Sequence, residues 1–187
     1  MNEYHAAAEE LSAAWDWVGQ SPQDCGKLDM IVARPEIGER VVLTVGELNL
    51  ETGLVGDNWL VRGSKKTEDG RAHPDQQVLL MNSRAIQALT QDRQRWPLAG
   101  DQLYVDLNLS GENLPAGTQL VVGTAILEVT TVPHTGCQKF TERFGHAAIR
   151  WVNSPEGRQQ CLRGICTRIV QPGRIQAGDE IIVKRPV

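Results

Sequence analysis

The segment Val132-Pro133-His134-Thr135-Gly136-Cys137-Gln138-Lys139-Phe140 gathers residue types that do chemistry. One cysteine follows an apolar, strand-like run, Ala125-Ile126-Leu127-Glu128-Val129-Thr130, and Pro133 and Gly136 break regular structure between the two. His134 precedes the thiol, and Lys139 and Arg143 follow it. A thiol attacks, or binds metal, as its thiolate, the form that neighbouring cations favour. The pattern reads as a loop-borne reactive cysteine, with His134 as a proton donor or as the group that keeps the thiol ionised. The competing reading is a half-buried structural cysteine beside an ordinary loop histidine. A zinc set of His134, Cys137, Cys161 and Cys166 is the weakest alternative. Its Cys161-x4-Cys166 spacing is wider than the usual pair, and Cys166 sits inside an apolar strand pattern.

Composition bounds what such a cysteine serves. A chain of 187 residues suits one domain whose core needs no disulfide. The formal charge of −4, with no basic block, argues against nucleic acid as partner. No apolar run approaches the ~20 residues that span a bilayer, so no membrane partner is expected. The start, Met1-Asn2-Glu3-Tyr4-His5-Ala6, has neither the basic opening nor the apolar stretch of a signal peptide. The expected compartment is the cytoplasm, with Cys25, Cys137, Cys161 and Cys166 as thiols. No flavin, haem or iron–sulfur motif is present, so redox chemistry at Cys137 would need an external electron source.

The elements that must position the cysteine are mostly short strands. Tyr4, Ala8, Leu11, Trp15 and Val18 recur at helical spacing, and Gly19 and Ser21-Pro22 end that helix. The expectation is that it packs across the domain; a partner surface built on Trp15 and Trp17 is the alternative. Strands are expected at 28–32, 39–45, 77–81, 102–107, 119–122, 125–131, 163–170 and 180–183, separated by Gly, Pro and Asp. One helix is expected at 83–92 and a short one at 141–152. Residues 1–27 then form an N-terminal helix and linker, and 28–187 a mainly β domain, a mostly antiparallel barrel with a few peripheral helices. Ala99-Gly100-Asp101-Gln102-Leu103 and Ala177-Gly178-Asp179-Glu180-Ile181 place the same Gly-Asp pair before a strand. Each reads as a turn whose Asp bonds local backbone. The polar loop from Arg62 to Asp75, with Lys65, Lys66 and Arg71, reads as a lid near the site or as a solvated loop.

Several segments occur together in a fixed order: Gly53-Leu54-Val55-Gly56-Asp57, Ser110-Gly111-Glu112-Asn113-Leu114, Cys137 after its Leu-Glu-Val strand, Gly164-Ile165-Cys166-Thr167-Arg168-Ile169-Val170-Gln171-Pro172-Gly173, and Ala177-Gly178-Asp179. In this order the chain resembles the MOSC domain, named after the C-terminal part of molybdenum-cofactor sulfurases, over roughly residues 28–185. The resemblance implies a β-barrel with a cysteine-centred site, in which Cys137 binds the molybdenum of the pterin cofactor or carries sulfur as a persulfide. A soft thiolate suits that metal. The cofactor's phosphate calls for Lys139 and Arg143, with Arg62 and Arg84 next. Glu112 and Asn113 are candidates for the pterin edge, and Asp57 for a site role or a turn. Family members of one type reduce N-hydroxylated compounds with an electron-donor protein; the alternative is a non-redox sulfur carrier or cofactor-delivery module working with a sulfur-donor or acceptor protein. Two departures stand out: Trp59 occupies a position where the family often has His, and Cys166 one where it has an aromatic residue. The chain is too short for a pyridoxal-phosphate-dependent desulfurase domain, so no pyridoxal phosphate is expected.

Overall fold

The computed structural model describes residues 5–64 and 67–186. Tyr4 of the expected first helix and Lys65 and Lys66 of the polar loop lie outside them. In chain order the elements are α1 (Ala8–Ala13), α2 (Trp15–Gly19), β1 (Cys25–Ala33), β2 (Val41–Leu43), β3 (Val45–Asn49), β4 (Gly53–Leu54), α3 (Trp59–Arg62), β5 (Val78–Asn82), α4 (Ser83–Leu89), β6 (Leu103–Asp106), β7 (Gln119–Val122), β8 (Ala125–Val129), α5 (Gln138–Asn153), α6 (Pro155–Gln159), β9 (Ile165–Gln171), β10 (Gly173–Gln176) and β11 (Glu180–Lys184). A 3-10 segment, Arg93–Ala99, precedes β6.

Seven strands close into a barrel in the order β1-β6-β5-β9-β8-β7-β11 and back to β1, with β2 added beside β1. Period-2 alternation puts Leu120 and Val122 of β7, and Ala125, Leu127 and Val129 of β8, into the barrel core. Most neighbours run antiparallel; β5 and β6 run parallel, and their crossover carries α4 and the 3-10 segment. A second apolar cluster lies under the helices, where Leu11, Val18, Ile86, Phe140, Phe144 and Trp151 are buried. Among the described residues no helix is long and apolar enough to cross a membrane.

The expected N-terminal helix is two short ones meeting at Ala14. It packs on its own domain: Leu11 and Val18 are buried, and the rings of Trp15 and Trp151 lie 5.3 Å apart. The expected 39–45 strand divides at Thr44, because β2 pairs with the barrel while β3 pairs with β4 and β10 in a separate small sheet. β4 has two residues and β10 starts just after Pro172, so neither carries a readable period. The helix expected at 141–152 starts earlier, at Gln138, and bends at Gly145, whose φ is 87°.

One topological feature places the cysteine. β8 and β9 are antiparallel neighbours, yet residues 130–164 run between them and return through α5 and α6. Cys137 lies on this excursion, at the start of α5.

Candidate functional site

Cys137 is exposed and precedes the first turn of α5 in extended backbone (φ −124°, ψ 177°). Its carbonyl accepts the N–H groups of Phe140 and Thr141, at 3.0 and 3.1 Å. The residue before it is clamped: Gly136 N–H donates to Asn153 Oδ1 at 3.0 Å, and Asn153 Nδ2 donates back to the Gly136 carbonyl at 3.3 Å. A β-carbon on Gly136 would lie 2.4 Å from Ile149 Cδ1, so a larger residue there would have to displace that side-chain tip of α5. The thiol therefore stands on a short loop pinned to the far end of α5.

Cys137 lines a cleft of about 430 Å3 together with Arg34, Arg40, Arg62, Lys139 and Arg143. These cations come from the end of β1, the β1–β2 loop, α3 and α5. One tetrapeptide organises three of them. Pro97 O accepts from Arg40 Nε at 3.1 Å, Leu98 O from Arg143 Nη1 at 2.6 Å and Gly100 O from Arg34 Nη1 at 2.8 Å. Ala99 O, within the same stretch, accepts from Arg163 Nη2 at 2.8 Å. A helical terminus leaves carbonyls without partners, and here the end of the 3-10 segment offers four successive carbonyls to four guanidinium groups.

Two buried carboxylates complete the arrangement. Asp57 accepts from Arg34 N, Nε and Nη2 and from Trp59 N, all within 2.9 Å, and its side chain is fully buried. It holds Arg34 bidentately at the cleft wall. Asp101, also fully buried, is 2.7 Å from Arg163 Nη1 through one oxygen and 2.7 Å from His134 Nε2 through the other. Burial alone would raise its carboxyl; Arg163 and then His134 outweigh that and hold it at about 2. The Arg163 guanidinium lies 5.0 Å from the centre of the Phe140 ring, so this network underlies the first turn after Cys137.

The cleft carries excess positive charge. Among the described residues no carboxylate lies within ion-pair distance of Arg40, Arg62, Lys139 or Arg143. Burial lowers the Arg40 guanidinium, with Arg143 and Arg34 adding to the effect; burial and then Arg34 lower Arg62. Glu36 also lines the cleft, yet the net charge there stays positive and favours an anion over a cation.

The MOSC domain profile matches residues 38–182. The chain belongs to the MOSC domain family. No curated protein matches the sequence. The fold is similar to that of the YuaD protein of Bacillus subtilis, at 16% identity over 85% of this chain and 95% of that one, with a TM-score of 0.64. It is also similar to YiiM of Escherichia coli, at 16% identity over 86% of this chain and 71% of that one, with a TM-score of 0.56.

Within this MOSC barrel the sequence-derived site residues separate into groups. Cys137, Lys139 and Arg143 share the cleft, with Asp57 behind Arg34. His134 faces Asp101 and lines the two neighbouring cavities instead of the Cys137 cleft. Asn113 is buried elsewhere: its amide donates to Gln23 O and Asn108 O, and its side-chain oxygen accepts from Arg185. Glu112 is exposed on the same turn, and neither residue lines the cleft. Arg84 pairs with Asp106 at 2.8 Å and also lies outside it. Among the described residues no cluster of three or more His, Cys, Asp or Glu side chains could hold a metal by itself. Sequence reasoning missed Arg34, Arg40, Asn153 and the role of Asp101. The available signal was Arg34 itself, a charge directly after the apolar run Met30-Ile31-Val32-Ala33.

The MOSC cysteines differ in access. Cys166 is buried, and Cys161 is half-buried, its thiol raised by burial and partly offset by the Gly111 N–H. Cys25 is exposed, but a hydrogen bond to Glu180, with that carboxylate's charge, raises it. Competitive alkylation near pH 7 with peptide mapping should therefore label Cys137 first. Equal or faster labelling of Cys25 or Cys161 would contradict this order.

Proposed function

We propose that the Cys137 cleft binds the phosphate-bearing pterin cofactor of molybdenum, with Cys137 as the metal's protein ligand. In this reading the chain is the catalytic component of a reductase of N-hydroxylated compounds and takes electrons from a partner protein. The observation that carries the reading is one exposed thiol among five cationic side chains, four of them without a carboxylate partner among the described residues. A phosphate monoester brings the charge such a cleft lacks, and a thiolate is a soft ligand fit for a metal already held by sulfur. The residues present thus suit both ends of the group. When bound, the cofactor supplies the redox chemistry. The protein supplies the rest: Arg40, Arg143 and Lys139 receive the phosphate, Asp57 and Gly100 O orient Arg34, and the Gly136–Asn153 clamp sets the height of Cys137.

The test is purification from a molybdenum-sufficient host, with molybdenum, pterin and persulfide measured per chain. Near-stoichiometric molybdenum with pterin is expected. Persulfide without metal would replace this reading with the sulfur-carrier one, and neither group on the protein would overturn both. Lys139→Ala should weaken cofactor retention roughly tenfold without abolishing it, since it removes one charge-assisted contact among several. Unchanged retention would remove Lys139 from the phosphate site.

A further inference from the structure

Beside the Cys137 cleft lies a smaller compartment of about 140 Å3, lined by Trp59, Arg62, Ser64, His73, Gln76 and His134 among others. Arg62 and Leu79 line both spaces, so the two adjoin. Three features of the small compartment point to one ligand chemistry. Among the described residues no carboxylate lines it. It has donors to offer: His73 Nδ1 accepts from Asp75 N–H at 3.2 Å, which leaves the ring proton on Nε2, and Arg62 brings a guanidinium. Trp59 is 6% exposed, and its indole N–H is buried with no partner among the described residues. Indole is a donor only, so any group that comes to pair with it must be an acceptor. The ring is held in place: Asp57 Oδ1 takes the Trp59 backbone N–H at 2.9 Å, and Gly53 lies against the ring, where a β-carbon would come 3.2 Å from Cε3.

We infer that this compartment is a binding subsite for a small oxyanion, or for the oxyanion head of a larger molecule, with Trp59, His73 and Arg62 as its donors. The volume holds several waters' worth of ligand and excludes a bulky group from the inner end. The subsite adjoins the cleft proposed for the cofactor phosphate and shares Arg62 with it, while its other two donors, Trp59 and His73, do not line that cleft. Trp59, which departs from the family's usual histidine, is here a neutral donor whose protonation does not vary with pH.

Nuclear magnetic resonance of the tryptophan indole N–H groups tests this in the full chain. The five indoles give five signals, and the one missing from Trp59→Phe identifies Trp59. Sodium sulfate, titrated at constant ionic strength against chloride, should move that signal along a saturable curve. Benzenesulfonate, with a related head on a larger body, should move it too if the head of a larger molecule is what fits, and should leave it still if only the free ion does; movement by either supports the subsite. His73→Ala should weaken the response roughly tenfold, as loss of one hydrogen bond would. Lys139→Ala and Cys137→Ser alter the cleft and not the subsite, so the Trp59 response should survive both. A Trp59 signal that ignores both anions, follows chloride equally, or is lost with Lys139→Ala but kept with His73→Ala would overturn the inference. Failure of molybdenum loading with an intact Trp59 response would instead count against the cofactor reading alone.

Discussion

Cys137→Ser should melt with the wild type and lose the bound cofactor, retaining less than roughly a tenth of the wild-type molybdenum. The stability half of this result follows from the position. Cys137 is exposed and its side chain makes no capping hydrogen bond, so an exchange of sulfur for oxygen should stay within about 0.5 kcal/mol. The binding half follows from the ligand. A serine hydroxyl stays protonated at neutral pH and is a harder donor than thiolate, and it cannot hold a persulfide. The cationic wall remains, so weak residual binding through the phosphate is compatible with the result. Thermal melting with parallel metal and persulfide measurements decides it. A wild type that loads while Cys137→Ser loads equally well would remove Cys137 from the site; a variant that cannot fold would return Cys137 to a structural role.

Asp101→Asn should be the most destabilising single substitution among the site's supports, by about 3–5 kcal/mol, because it leaves Arg163 buried without its counter-charge. That is a large part of the ~5–15 kcal/mol that holds a domain folded. A pH dependence accompanies it. The folded-state carboxyl of Asp101 is held at about 2, below its unfolded value near 3.8. A depressed carboxylate contributes stability that is complete above the unfolded value and is lost as pH falls from about 4 toward 2. Linkage puts that contribution at about 2 kcal/mol. Wild type should therefore lose stability in this window, and Asp101→Asn should lose correspondingly less. Asp179→Asn is the control. Asp179 sits in the same Ala-Gly-Asp motif, but among the described residues its carboxylate accepts only the nearby Gln176 N–H, at a partly exposed turn, so the substitution should cost less than about 1 kcal/mol. Equal losses for the two variants in denaturant unfolding would show that the Arg163–Asp101–His134 network is not what stabilises the loop.

Trp59 sharpens the question of whether this member of the family retains chemistry. Its indole cannot titrate as a histidine would, yet the cleft that Cys137 lines keeps five cations, and Asp57, two residues before Trp59, still anchors Arg34. The departure from the family pattern falls in the neighbouring compartment, so it bears on what that compartment takes more than on whether the Cys137 cleft binds an anion.

Much of this protein was legible from residue order. Strands such as β7 and β8 follow from alternation between barrel interior and exterior, a period that local sequence expresses directly. Cys137, Lys139 and Arg143 were found together because they lie within seven residues on one turn and the helix after it, where sequence distance approximates spatial distance. The split of residues 39–45 between two sheets was not legible, because Val41 and Val45 carry the same propensity and only the partner strands differ. The two Ala-Gly-Asp turns make the limit plain. Both read as local turns, and Asp179 is one; Asp101 is instead buried between Arg163 and His134, groups brought to it by β9 and by the long β8–β9 excursion. Arg34, Arg40, Arg143 and Arg163 likewise come from distant parts of the chain and converge because Pro97–Gly100 offers them four carbonyls in succession. The sequence by itself therefore determined the barrel class and the family, and singled out Cys137 with Lys139 and Arg143, which share one cleft. Tertiary structure alone decided which arginines surround that cysteine and which aspartates hold them, since a buried charge finds its partner across the fold, through pairings that no local periodicity records.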